Sequence, residues 1–470
     1  MTNTKIICTL GPASSDTNTI KELILSGADV FRINMSHGDH DNARKLIQTV
    51  RQVSSELGRM IPVFMDLQGK KLRTGIFEND SAELIANSMC IITTEKITGT
   101  AERFSTDYKG LCNDMKPGDC VLIDDGKVVL EVIQVFETEI RCRIVTGGTV
   151  KSRKGLMLPG KEINLPALSS KDIADAKCGM DIGVDGFMLS FVQKASDIIE
   201  LQDTMKRSGR VLPIIAKIES HKGIENLSSI ADVADAILVA RGDLGVELPV
   251  WELPPMQIKI IDTAKKARKP VIVATEMLES MITNSRPTRA EVSDVASAVT
   301  QGADVVMLSG ETAVGKYPVK AVTIMDRTLE QAEILLKKPA KKIDPESPHL
   351  LAECVSFSAV DLSKNLNAQA IVIYTHSGFT ARQISHFAPI VPIYVFSSDI
   401  HIARICNLFR GTQTFLLPEK PESFESFLEQ SIEILVKKEL IRKKDTIVAV
   451  NVTGKNNDIT HANSIKVFNC

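Results

Sequence analysis

The sequence predicts an α/β protein: a (β/α)₈ TIM barrel with an inserted β-barrel lid domain and a C-terminal α/β domain. Short apolar runs recur eight times in the first 315 residues, segments of helical period separate them, and most end in a polar cluster. Together these are the marks of parallel strands joined by crossover helices.

The first four runs are KIICTLGP (5 to 12), DVFRINMSHG (29 to 38), IPVFMDLQG (61 to 69) and DGFMLSFVQ (185 to 193). The others are LPIIAKIES (212 to 220), DAILVARGDLG (235 to 245), PVIVATEML (270 to 278) and DVVMLSGETA (304 to 313). Strands apolar on both faces suit a parallel sheet covered on both sides. Between them, DTNTIKELILSGA, KASDIIELQDTMKRSG and TRAEVSDVASAVTQGA space apolar residues three and four apart behind Ser, Thr or Asp, as capped helices do. A barrel of this kind gathers its active site at the C-terminal strand ends. Those ends hold Arg32 to His37, Asp66, Lys217, Glu219, Asp243, Thr275 and Ser309 to Glu311.

The alternation breaks after Gly69. GDCVLIDDGKVVLEVIQVFETEIRCRIVTGGTV alternates β-branched with polar residues and predicts hairpins turning at DDG and TGG. A β domain in this βα loop would stand over the barrel mouth as a lid. The charged, proline-rich KKPAKKIDPESPH marks a junction, after which AQAIVIYTHSG, VPIYVFSSD, TQTFLLPE, DTIVAVNVTG and SIKVFN predict a further sheet. The expected division is residues 1–69 and 166–338 for the catalytic barrel, 70–165 for the lid and 339–470 for the C-terminal domain.

Of the residues, 44% are hydrophobic and 24% charged, the usage of a folded globular protein, and no run is long and apolar enough to predict a membrane span. The formal net charge of -2 excludes a basic field over the whole molecule, so no nucleic-acid partner is expected and any anion site must be local. Nine cysteines without a CxxC pair argue against a zinc ribbon or a disulfide framework. With no signal-peptide pattern at MTNTKIICTLGPAS, the expected location is cytoplasmic.

Lys217 and Glu219 share one strand face by alternation and could simply neutralise each other. Alternatively, Glu219 and Asp243 of ARGDLG could hold Mg²⁺, which keeps part of its hydration and takes few protein ligands; that glycine-rich turn could equally be a helix cap. Arg32, Asn34 and Ser36 also share a face, suited to a phosphate accompanied by a monovalent cation. His37 alone reads as a surface or loop residue.

Taken in order, TKIICTLGPAS, FRINMSHG, AKIES, ARGDLGVELP, ATEMLESMI with RPTRAEVSDVASAV, and MLSGETAVGKYPVKAV resemble the pyruvate kinase family along the whole chain. The resemblance implies a glycolytic phosphotransferase that moves the phosphoryl group of phosphoenolpyruvate to ADP, giving pyruvate and ATP, with Mg²⁺ or Mn²⁺. It implies that Lys217 stabilises the transferring group, Glu219 and Asp243 hold the divalent ion, and Arg32 grips the phosphate. Gly242, Asp243 and Thr275 would hold the substrate carboxylate, with Thr275 near the carbon to be protonated. Asn34, His37, Arg73 and Lys154 fall at nucleotide contacts, and Asn34, Ser36, Asp66 and the Leu67 carbonyl at a K⁺ pocket. A homotetramer with an allosteric C-terminal domain is implied as well. There Thr375, Ser377, Gly378 and Thr380 of YTHSGFTAR resemble an effector-phosphate loop, though a plain helix cap fits too. TGKNNDITHAN lacks the glycine-rich form that would favour fructose 1,6-bisphosphate, although Lys455 could still reach a phosphate.

Several positions depart from the family pattern. Lys71 stands where K⁺-dependent members carry Glu, which predicts an enzyme that does not require K⁺. Lys70 replaces a hinge proline, Met157 an Asn and Gln193 an Arg; the last two could weaken nucleotide or lid contacts. The rival readings are another barrel enzyme acting on pyruvate or phosphoenolpyruvate, and a non-catalytic sugar-phosphate sensor on the same fold.

Overall fold

The computed structural model describes residues 2–36, 38–336, 343–451 and 463–470. His37, Lys455 and part of the predicted junction lie outside the described residues.

The eight apolar runs form the eight strands of a closed barrel. They are β1 (Lys5–Leu10), β2 (Val30–Asn34), β3 (Val63–Leu67), β4 (Gly186–Leu189), β5 (Ile214–Ile218), β6 (Ala236–Ala240), β7 (Val271–Ala274) and β8 (Val305–Leu308). Each pairs in parallel with its sequence neighbours, and β1 closes on β8 with Lys5 opposite Val305. The strands are buried along almost their whole length, which is why they read as continuous apolar runs rather than alternating ones. The surrounding helices start where cap residues demand it. In RPTRAE, Thr288 and Glu291 each accept the other's backbone N–H, opening the helix Arg289–Gln301.

The chain leaves the barrel after β3 and returns before β4. The excursion folds on its own core, which includes Phe77, Phe104, Leu130 and Ile140. Its largest sheet has seven strands, with Cys120–Ile123, Val128–Val135 and Glu139–Thr146 as antiparallel neighbours. The DDG turn is present, its Asp124, Asp125 and Gly126 all left-handed at φ 52°, 56° and 81°. TGG is not a hairpin turn: the following strand, Gly148–Lys151, pairs with Ser81–Leu84 in a separate two-stranded sheet. Strand partners depend on tertiary packing, which local turn chemistry does not encode.

The C-terminal sheet has five strands in the order Thr412–Leu416, Ile393–Ser397, Ala370–Tyr374, Thr446–Asn451, Ser464–Asn469, the last antiparallel. It docks against the opposite end of the barrel from the lid. Lys5 Nζ, at the start of β1, donates to Asp29 Oδ1 at 3.1 Å and to the Thr412 carbonyl at 2.8 Å. Asp185, just before β4, faces Arg404 at 3.6 Å. Among the described residues no helix is long and apolar enough to cross a membrane.

Candidate active site

The C-terminal ends of the strands bring a dense charge cluster to one place. Asp66 is 2% exposed in β3 and Lys217 8% in β5, so neither charge can rely on water. Arg32 of β2 reaches Asp66 Oδ2 with Nε and Nη2, both at 2.6 Å, while its Nη1 donates to Thr9 Oγ1 at 3.0 Å. Lys217 Nζ lies 2.9 Å from Glu219 Oε1 and 3.4 Å from Asp66 Oδ2. Burial alone would raise the Asp66 pKa, but Lys217 and Arg32 hold it below the ordinary value. Burial likewise works against the Lys217 ammonium, and Asp66 and Glu219 keep its pKa raised. Both groups therefore stay ionised.

Ser190, at the end of β4, completes the cluster by accepting from Lys217 Nζ at 2.7 Å and donating to Asp66 Oδ1 at 3.2 Å. Sequence reading passed over Ser190; its signal was one hydroxyl closing the apolar run DGFMLS, which a strand-end turn would show equally well. Next to it, the Phe191 N–H donates to Glu219 Oε2 at 2.7 Å.

Asp243 sits in the first turn of the short helix Arg241–Glu247 that follows β6. Burial and the nearby Glu219 carboxylate push its pKa up to about 7, against the pull of Lys217 and Lys71. Two carboxylates that repel each other in a low-dielectric site are a hard-cation donor set. Among the described residues no three His, Cys, Asp or Glu side chains converge as a complete cage. The pair therefore fits an ion that keeps water or substrate oxygens in its shell.

Thr275, after β7, has φ +66°, a strained conformation for a β-branched residue. Arg241 holds it there, donating to the Thr275 carbonyl from Nη2 at 2.6 Å and to that of Glu276 at 3.1 Å, and pairing with Asp294. The Thr275 hydroxyl accepts the Gly242 N–H at 2.7 Å. Arg241 lay unremarked inside the ARGDLG motif. Asn34 is opposite Asp66 in the β2–β3 register and accepts the Ser36 N–H at 3.0 Å, so Asn34, Ser36, Asp66 and Leu67 adjoin one another.

Arg73 and Lys154 are placed differently. Arg73 lies on a lid strand and Lys154 just before the neighbouring strand Gly155–Met157, with Arg73 donating to the Arg153 carbonyl at 3.1 Å and Lys154 paired with Asp124 at 2.8 Å. Lys71 faces the mouth, lining a cleft with Asp125, Gln193, Asp243 and Glu247. Lys70 borders the same cleft and makes a buried ion pair with Asp197 at 2.7 Å. Gln193 accepts the Ile163 N–H at 2.9 Å and donates to the Lys161 carbonyl at 3.2 Å. Met157 pairs with Leu122 inside the lid sheet. In the C-terminal domain the Thr375 hydroxyl accepts the Gly378 N–H at 3.0 Å ahead of the helix Phe379–His386, with Ser377 exposed and Thr380 buried.

A (β/α)₈ barrel whose mouth sets an ammonium and a guanidinium beside carboxylates has the architecture of an enzyme and a charge distribution suited to a small anionic substrate. The family model of the pyruvate kinase barrel domain matches residues 1–322, and that of the pyruvate kinase alpha/beta domain matches residues 353–468. A curated pyruvate kinase of Corynebacterium efficiens is 42% identical over 461 residues, covering 97% of this chain and 96% of its own. One from Mycobacterium tuberculosis H37Rv is 42% identical over 446 residues, 95% of this chain and 94% of its own. The crystal structure of a pyruvate kinase from Cryptosporidium parvum, 33% identical, matches with a TM-score of 0.94 over 100% of this chain and 96% of its own. The chain belongs to the pyruvate kinase family of enzymes.

Burial pushes the Glu247 carboxyl up to about 7, against the lowering effect of the His221 and Gly160 N–H groups. Because the folded value lies above the unfolded one, this group's stabilising contribution is complete below about pH 4 and is lost as pH rises through 7. Discounted for partial exposure, the swing is about 2 kcal/mol. Glu247→Gln is expected to lose less thermal stability than the parent between pH 5 and pH 8, which scans across that range would measure.

Proposed function

We propose that this enzyme transfers the phosphoryl group of phosphoenolpyruvate to ADP, yielding pyruvate and ATP, in a glycolytic role in the cytoplasm. The observation that carries this reading is Lys217, held ionised at the barrel mouth between Asp66 and Glu219 with Arg32 beside it. Phosphoryl transfer is mainly positioning and charge neutralisation. Lys217 would meet the negative charge on the transferring group while Arg32 fixes the phosphate end of the substrate. Backbone donors at Gly242 and Asp243, with the Thr275 hydroxyl, would orient the carboxylate end. The left-handed turn held by Arg241 would keep that hydroxyl beside the carbon to be protonated. Glu219 and Asp243 would hold Mg²⁺ or Mn²⁺, which supplies Lewis-acid neutralisation of the substrate oxygens.

Nucleotide phosphates would meet Arg73 and Lys154 from the lid and Asn34 and His37 from the barrel. Monovalent-cation dependence is expected to be weak. Asp66, which with Asn34, Ser36 and the Leu67 carbonyl would line a K⁺ pocket, is already matched by Arg32 and Lys217, and Lys71 adds positive charge near Asp243. An anionic effector, such as a sugar phosphate, is assigned to Thr375, Ser377, Gly378 and Thr380 at the start of Phe379–His386. A homotetramer is proposed on the resemblance to the family.

Pyruvate formation from phosphoenolpyruvate and ADP tests the reaction: the parent protein should turn over, and Lys217→Met should be slower by at least about 10²-fold. Turnover independent of ADP would point to another barrel reaction, and none at all would point to a sensor. Rates in Na⁺, K⁺ and tetramethylammonium should agree within about threefold, whereas Lys71→Glu should create K⁺ dependence; strong selective activation of the parent by K⁺ would refute the role given to Lys71. Divalent-ion binding can be followed without activity, from the electron-spin signal of free Mn²⁺. Asp243→Asn and Glu219→Gln should each weaken Mn²⁺ binding by about tenfold or more.

A further inference from the structure

The buried Lys70 charge belongs to a set of contacts that ties both ends of the lid to one place on the barrel. On the outgoing side, Lys70 Nζ donates to Asp197 Oδ1 at 2.7 Å, with side-chain exposures of only 2% and 4%. On the returning side, Gln193 accepts from the Ile163 N–H at 2.9 Å and donates to the Lys161 carbonyl at 3.2 Å. Asp197 and Gln193 are joined directly, since Asp197 Oδ2 accepts the Gln193 N–H at 2.9 Å while capping the helix Ala195–Arg207. The Gln193 carbonyl is pinned in turn by Asn226 Nδ2 at 2.8 Å. The solvated Lys194–Glu162 pair nearby adds little.

These contacts lead into the catalytic cluster through residues 190–193. The Ser190 carbonyl packs so tightly on Gly69 (φ +68°) that a Cβ there would lie 2.2 Å away. Ser190 also bonds Lys217 and Asp66, and Phe191, itself at φ +54°, donates to Glu219. A shift of the hinge therefore displaces groups that touch Lys217 and Glu219.

We propose that Lys70, Asp197 and Gln193 form a hinge latch that sets the attitude of the lid and, through residues 190–193, the placement of Lys217 and Glu219. They are positioning residues, and the assignment rests on the catalytic reading of Lys217 and Glu219 given above.

Removing one partner strands a buried charge and can prevent folding. The test therefore uses the neutral double variant Lys70→Met/Asp197→Asn, Gln193→Ala, and the combination of all three. In folded protein, we expect the double variant and Gln193→Ala each to lower kcat/KM for ADP by about tenfold or more. The combination should fall well short of the product of the two effects, because both remove the same latch. Hydrogen exchange should quicken at residues 69–72 and 160–165 and stay unchanged in strand Ile214–Ile218. Parent kinetics and unchanged hinge exchange in a folded double variant would overturn the latch, as would fully multiplicative losses. If the parent protein itself lacks ADP-dependent turnover, the catalytic reading fails, while the exchange measurement still decides whether the hinge is latched.

Discussion

A closed barrel leaves no water at its strands, so every charge carried to its mouth must be answered by another charge. Asp66 is the point on which this balance turns. It lies at the centre of Arg32, Lys217 and Ser190, and each of these is fixed partly by its contact with that one carboxylate. Lys217 then carries the second carboxylate, Glu219, whose negative field reaches Asp243 in the short helix after β6. The cluster is thus a chain of alternating signs running from β2 through β3 to the end of β5. An open edge at Asp243 is left for a cation to close.

The same requirement explains why the fold was easy to read. Strands buried on both faces must be apolar throughout, so runs such as IPVFM and VVML stand out from the surrounding helices. A Lys and a Glu inside IIAKIES are conspicuous because nothing but pairing or function keeps them there. The lid was less legible. Its strands alternate clearly, but the choice of partner strand is made by packing, and the two glycines of TGG look the same whether they turn a hairpin or pass the chain to another sheet.

Within the site, legibility followed chemical distinctiveness. Asp243 and Thr275 stood out through their motifs. Ser190 did not, since a hydroxyl after an apolar run is what any strand end offers. Arg241 was hidden by the Asp two residues on, although it is the guanidinium that holds Thr275 in its strained turn. Lys70 could not be read at all, because its partner Asp197 is 127 residues away in sequence and belongs to another helix cap. Each missed residue acts through a partner distant in the chain, and a single sequence contains no record of such pairs.

The lid enters and leaves the barrel between two consecutive strands, β3 and β4. Two tethers rooted side by side define a line, and a rigid body held at two such points can turn about that line but can hardly slide or lift away from it. The topology thus reduces six rigid-body freedoms to nearly one. The β domain behaves as a door on a fixed jamb, and its cationic Arg73 and Lys154 must follow an arc set by the chain path.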